Sequence, residues 1–182
     1  MRKSREEAAE TRKSIVRAAA REFREKGIVA TGLADLMKAA GLTHGGFYKH
    51  FVSKDQLVAE ATAAAMDGIL EELATRPTVN SAVAGYLSTR HRDNPASGCP
   101  LAALGGELAR SDKETRAAAT AGFTRLVDIL AGNARAADVR RQALVAAVTM
   151  IGAVTMSRVV SDPKLSDEIL DAARETLVAD TS

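Results

Sequence analysis

Tryptophan is absent from this 182-residue chain, the three aromatic residue types together reach only 3%, and there are four prolines and a single cysteine. Strands favour aromatic and β-branched residues, and 36 alanines stand here instead, so an all-β fold is excluded in favour of helices. One cysteine, Cys99, cannot form an internal disulfide, and no Cys/His group has zinc-ligand spacing; a cystine-stapled secreted domain and a structural metal site both fall away. A reducing, cytoplasmic setting is the expectation. The first ten residues, MRKSREEAAE, carry charge where a signal peptide needs an apolar core. No hydrophobic run is long: the longest uncharged stretch, 142–157, is interrupted by polar residues and ended by Arg158, short of the ~20 apolar residues of a membrane span. No membrane partner is expected.

What is present is ordinary globular material, 46% hydrophobic and 26% charged, enough for one domain or a small module fused to a larger one. The net charge of +2 hides an asymmetry, +4 over residues 1–60 and −2 over the remainder, which directs the search for an acidic partner to the N-terminal end. Helical periodicity runs through most of the chain. Apolar residues at three- to four-residue spacing and the breakers between them predict about nine helices, over 7–26, 31–39, 43–51, 54–74, 79–91, 100–110, 112–131, 136–160 and 165–179, with 92–98 as the longest loop. Thr31 and Thr43 are expected at the starts of the second and third helices and Gly27 at the end of the first.

A helix ending near Ala40, a Gly41-Leu42-Thr43 turn and a second short helix have the spacing of a helix-turn-helix, whose second helix enters the DNA major groove. In the candidate reading helix, His44-Gly45-Gly46-Phe47-Tyr48-Lys49-His50-Phe51, the i, i+4 pair Phe47 and Phe51 should face inward. His44, Gly45, Tyr48 and Lys49 should then lie exposed. Two glycines cost a helix interior roughly 1 kcal/mol each, which makes sense where backbone must approach another surface closely.

Residues 15–58, with Ile15, Ala18, Ala19, Phe23, Gly27, Thr31, Ala40-Gly41, Tyr48, Phe51, Lys54 and Leu57 in order and spacing, resemble the DNA-binding domain of the TetR (tetracycline repressor) family of bacterial transcription regulators. Glu22 and Met37 depart from the usual pattern. The resemblance implies a DNA-binding domain over 1–53 and a helical effector-binding and dimerisation domain over 54–182. It further implies that Thr31, Thr43, Tyr48, His50 and Lys54 contact phosphates, and that His44, Gly45, Gly46 and Lys49 face base edges or their border, with Lys49 in reach of guanine. Arg2, Lys3 and Arg5 read either as a flexible phosphate-binding arm or as a solvated tail.

The second part carries weaker signals. The helix over 136–160 is apolar nearly all round between Ala143 and Ala153, so it is expected to be buried on one side by its own domain and on the other by a two-fold partner, with 165–179 completing the seam of a homodimer. A pocket for a small apolar or electrophilic effector would draw on Met66, Ile69, Tyr86, Cys99, Leu104, Phe123 and Val127, each of which also suits plain core. Cys99, at the N-cap of the helix that Pro100 opens, reads either as a thiol poised by the helix dipole or as a small buried hydrophobe. Glu107 reads as a polar anchor or as a solvated charge.

Catalytic, metal and cofactor motifs find no footing: there is no Gly-rich phosphate loop and no nucleophile elbow, and the histidines are scattered. The expectation is therefore a non-enzymatic regulator bound to a double-stranded DNA operator, a repressor released by an effector or a thiol modification. The alternative is a nonspecific, architectural DNA-binding protein without effector.

Overall fold

The computed structural model describes residues 5–132 and 136–179; Arg2 and Lys3 lie outside them. The described residues are helical with no strand: α1 (Arg5–Lys26), α2 (Leu33–Ala39), a short 3-10 helix (His44–Lys49), α3 (Lys54–Ala74), α4 (Val79–Tyr86), α5 (Thr89–Asp93), a 3-10 turn (Pro95–Ser97), α6 (Pro100–Leu108), α7 (Lys113–Ala131), α8 (Ala137–Val159) and α9 (Pro163–Ala179). Short polar side chains cap several of these starts. The Ser53 hydroxyl accepts from Gln56 N–H at the start of α3, Thr78 and Ser81 form a reciprocal capping box at α4, and Asp112 accepts from Thr115 N–H at α7.

Two expectations need correcting here. The helix foreseen over 79–91 is broken at Leu87, because the Ser88 hydroxyl accepts from His91 N–H and starts the new helix α5, so part of the foreseen loop is ordered. Thr31 is not a cap: Gly32 holds that position, and Thr31 is buried with its hydroxyl donating to Gly27 O at 2.5 Å.

Two buried clusters organise the chain. One gathers Ile15, Ala19, Phe23, Leu36, Met37, Phe47 and Phe51 with the first half of α3, Leu57, Val58, Ala61 and Ala65. The other gathers the second half of α3, Met66, Ile69, Leu70 and Leu73, with α4 and α7–α9. Helix α3 thus belongs to both, as its length suggested. It is not alone in this, because Leu104 and Leu108 of α6 also pack into the N-terminal cluster.

Helices α3 and α7 meet closely at Gly122. A Cβ built there would lie 2.8 Å from Met66 Cβ and closer still to its Cγ, so no larger residue fits without moving the helices apart. Gly122→Ala is expected to lower stability by about 1–2 kcal/mol despite its better helix propensity, measurable by urea unfolding. A rise in stability would mean that the helices part freely.

Helix α8 has two apolar faces. Ala143, Ala147, Met150 and Val154 are buried in the protomer, whereas Leu144, Val145, Val148, Met156 and Val159 lie exposed along the opposite side. This double face makes α8 the one helix among the described residues long and apolar enough to cross a membrane, although the uncharged stretch within it fell short. The buried face identifies it as a core helix of this fold, and the exposed stripe is a surface of the kind that another protein covers.

Candidate nucleic-acid interface and its links to the second domain

Gly41 ends α2 with φ +72°, and two bonds close the turn: Gly41 N–H to Lys38 O at 2.9 Å and Leu42 N–H to Met37 O at 2.8 Å. This is the Schellman pattern, and it aims the chain directly into the 3-10 helix. That element is tighter than the helix anticipated, since Gly45 and Gly46 weaken an α-helix and the element is only six residues long before His50 leaves it. Phe47 and Phe51 are inward as expected, stacked at 5.5 Å between ring centroids, and Met37, one of the two departures from pattern, packs beside them.

Anchoring Phe47 and Phe51 turns the other side of the element outward. Thr43, His44, Gly45, Tyr48 and Lys49 are exposed, Tyr48 by 69%, while Gly46 and His50 are half-buried. Thr43 stands at the N-cap with its hydroxyl uncommitted to a cap bond. At Gly45 a Cβ would meet nothing within 4 Å, so its absence serves no packing inside the protein and leaves open surface. The face therefore brings together a hydroxyl, a phenol, an imidazole and an ammonium on a rigid turn.

Lys54 and Thr31 are held by bonds within the protein. The Lys54 ammonium donates to Ile28 O at 2.6 Å and Thr31 O at 2.8 Å, tying α3 to the segment between α1 and α2. With the Thr31 hydroxyl held by Gly27 O, these two side chains fix the α1–α2 segment, and the phosphate contact implied for them would be made with these bonds in place. Arg12 is likewise committed: its guanidinium grips the Glu60 carboxylate with two bonds, donates to His50 O at 3.2 Å and lies 4.4 Å over the Phe51 ring. The carboxylate holds the Arg12 pKa above its ordinary value. The ion pair joins α1 to α3, and its two charges, both within residues 1–60, cancel in place.

Glu107, left undecided by the sequence, turns out to be a clasp. Its two carboxylate oxygens accept from Ile28 N–H at 3.1 Å and Val29 N–H at 2.8 Å, so α6 caps the backbone that leaves α1. A second link lies at the start of the same helix, where Arg24 of α1 donates to Gly98 O at 2.6 Å. Burial lowers the Arg24 pKa to about 10. Nothing in the sequence ties these segments, which are more than 70 residues apart; they meet only once α6 docks on α1.

Behind Gly98 lies a buried polar cluster. His91 donates from Nδ1 to Tyr86 O at 2.8 Å and accepts at Nε2 from Cys99 N–H at 2.9 Å, the arrangement of a neutral ring, and burial lowers its pKa. Gly98 has no room for a side chain: a Cβ would lie 2.5 Å from the His91 ring, which is held at both nitrogens. Arg158 ties α8 in by donating to Arg92 O and His91 O. Cys99 is the N-cap of α6 as foreseen, but it is fully buried and burial pushes its pKa up, outweighing the helix end. The Tyr86 hydroxyl has no partner of ordinary hydrogen-bond geometry, though it is near enough to the thiol to influence its titration. Native Cys99 should react with an aromatic disulfide reagent at pH 7 at least about 100-fold more slowly than in the denatured chain, because attack must await local opening. Equal rates would restore the poised thiol.

The remaining residues expected around an effector are mostly plain core. Met66, Cys99 and Val127 are buried in the second cluster, Phe123 packs against it, and Leu104 belongs to the N-terminal cluster. Ile69 and Tyr86 alone of the seven line a cavity of about 180 Å³, together with Glu72, Leu73, Arg76, Gly85, Ser88, Arg90, His91, Ser97 and Gly98. Helical periodicity marks buried faces and cannot distinguish a full core from a hollow one, so the polar half of this cavity went unseen.

Residues 15–61 match the family described as bacterial regulatory proteins, tetR family. Over 58 residues the chain is 47% identical to the HTH-type transcriptional regulator TtgR of Pseudomonas putida; the match covers 32% of this chain and 28% of that relative. Among solved structures, a TetR transcriptional regulator from Chloroflexus aurantiacus superposes with a TM-score of 0.75 at 25% identity, covering 96% of this chain and 95% of that one. The reduced form of Escherichia coli NemR gives the same score at 18% identity, covering 92% and 95%, a likeness of fold. Sequence similarity is thus concentrated in the N-terminal third of the chain, while the fold is shared over nearly all of it.

Proposed function

We propose, from the match of residues 15–61 to the tetR family of bacterial regulatory proteins, that this chain is a cytoplasmic, homodimeric, sequence-specific repressor of transcription. In this reading residues 1–53 bind an operator in double-stranded DNA, and residues 54–182 dimerise and bind a small effector that ends the binding. The observation that carries it is the rigid exposed face of Thr43, His44, Gly45, Tyr48 and Lys49, set by two buried phenylalanines and a glycine turn. Tyr48 and Thr43 reach phosphates, and Lys49 reaches a base edge through the approach that Gly45 and Gly46 allow.

The exposed stripe on α8, with Leu165 at the start of α9, is the surface that a second copy would cover. Ile169 and Leu177 of α9 face their own core, so α9 contributes less to such a seam than α8. Dimerisation would set two reading elements about one helical turn of DNA apart. The signal from the second domain reaches α1 through α6, by the Glu107 and Arg24 clasps, as well as through α3. Burial of Cys99 favours an effector over thiol modification as the release signal.

Fluorescence anisotropy with DNA from upstream of the gene, beside a scrambled duplex at ~150 mM salt, tests this directly, since nonspecific binding is weak there. We expect selectivity of about a thousandfold or more. Lys49→Ala is expected to weaken operator binding by about 1–3 kcal/mol and to relax selectivity, whereas Tyr48→Ala should weaken binding on all sequences alike. Equal, steeply salt-dependent binding to operator and scrambled DNA would instead support the architectural alternative.

A further inference from the structure

The cavity of about 180 Å³ between the end of α3, the α4–α5 junction and the Ser97–Gly98 bend is built in two halves. Ile69, Leu73 and the Tyr86 ring form an apolar floor. The rim is cationic. Arg76 lies flat against the backbone at Gly85, where a Cβ would come within 3.2 Å of its guanidinium, and pairs with Glu72 at 3.1 Å. Arg90 is exposed and has no ion pair among the described residues, and the neutral His91 adds no charge. Glu72 is the one carboxylate in the lining and is already neutralised by Arg76, so the rim keeps one uncompensated positive charge. A cavity of roughly 150 Å³ lined by apolar side chains admits a benzene ring.

We propose that this cavity binds a small apolar carboxylate the size of one aromatic ring, its carboxylate taken by Arg90 with Arg76 beside it and its body seated on Ile69, Leu73 and Tyr86. An Arg guanidinium presents paired N–H groups that match a carboxylate, and the apolar floor rejects a fully hydrated ion such as acetate. The site deepens the effector half of the repressor reading and rests on it for the consequence of binding. Its far wall is the Ser97–Gly98 bend, and the Gly98 carbonyl is the acceptor of Arg24 from α1. With His91 closing the other side of Gly98, a ligand that pushes the bend moves that carbonyl away from Arg24, because no slack remains for the bend to absorb the displacement.

The test is titration calorimetry of the full chain with sodium benzoate and with benzyl alcohol, run beside operator anisotropy. Benzoate should bind at least about tenfold more tightly than the alcohol, and Arg90→Ala should remove that advantage without changing the thermal midpoint, since the exposed Arg90 side chain makes no ion pair among the described residues. No benzoate binding, equal binding of the alcohol, or benzoate binding indifferent to Arg90→Ala would overturn the site; the last result would place the ring in the apolar cavity of about 290 Å³ beside Val83, Leu130 and Val145. Benzoate that binds through Arg90 yet leaves operator affinity unchanged would overturn the link through Gly98. A chain that selects no DNA sequence while binding benzoate as described would overturn the repressor reading and uphold the site.

Discussion

Val148→Glu is expected to yield a folded monomer whose operator affinity is at least about a thousandfold lower. Val148 is 55% exposed in the protomer and stands mid-stripe on α8, between Leu144, Val145, Met156 and Val159. Its replacement therefore removes little contact within the protomer, and the thermal midpoint of the isolated chain should barely move. In an isologous interface the same residue occurs twice near the axis, so the substitution buries two like charges in an apolar seam without partners. Each costs several kcal/mol, more than the burial of one valine per protomer returns. The monomer keeps one reading element. The second half-site then binds without the effective concentration that linkage supplies, a factor of about 10² to 10⁴. Sedimentation velocity at micromolar protein, with anisotropy on the operator, checks both parts. A variant that stays dimeric would mean that the stripe faces something other than its own copy.

Glu107→Ala is expected to loosen the reading domain from the second domain, lowering stability by roughly 2–3 kcal/mol and blunting the response of operator binding to an effector, since the Arg24 link and α3 remain. The carboxylate satisfies Ile28 and Val29 N–H in the segment that follows Gly27, whose φ is +90°. Hydrogen bonds to a charged acceptor contribute about 1.5–3 kcal/mol each when shielded, and the exposure of Val29 reduces the total. Hydrogen exchange offers the sharper measurement: the Ile28 and Val29 amides should exchange faster while those of α8 keep their protection. Glu107→Gln retains one acceptor oxygen and should recover part of the protection. If the two amides stay protected in Glu107→Ala, the clasp holds nothing and the signal must run through Arg24 and α3.

Much of this molecule was legible in the sequence where local chemistry sets local structure. The Gly41 turn, the inward Phe47 and Phe51, the Ser53 and Asp112 starts and the Pro100 helix follow from neighbours within a few positions, and all appear in the fold. Thr31 shows the limit. A threonine just before an apolar run suggests a cap, but Gly27 O lies one turn away and takes the hydroxyl first. Lys54 was matched correctly to a motif, while its ammonium found two carbonyls of the α1–α2 segment at close range. Charge counting gave only a total: Arg12 and Glu60 both fall within the first 60 residues, and only the fold pairs them.

The sequence by itself determined the helical class, the helix-turn-helix and the residues that point outward from it, because periodicity, capping and turn formation act over one or two turns of chain. Tertiary structure alone decided which of two roles Cys99 and Glu107 take, which face of α8 is left bare, and where a cavity opens. Those outcomes depend on pairs such as Arg24 with Gly98 and Glu107 with Val29, more than 70 residues apart. Burial, with the hydrogen bonds and pKa shifts that follow from it, is a property of the packed helices, and no local pattern encodes it.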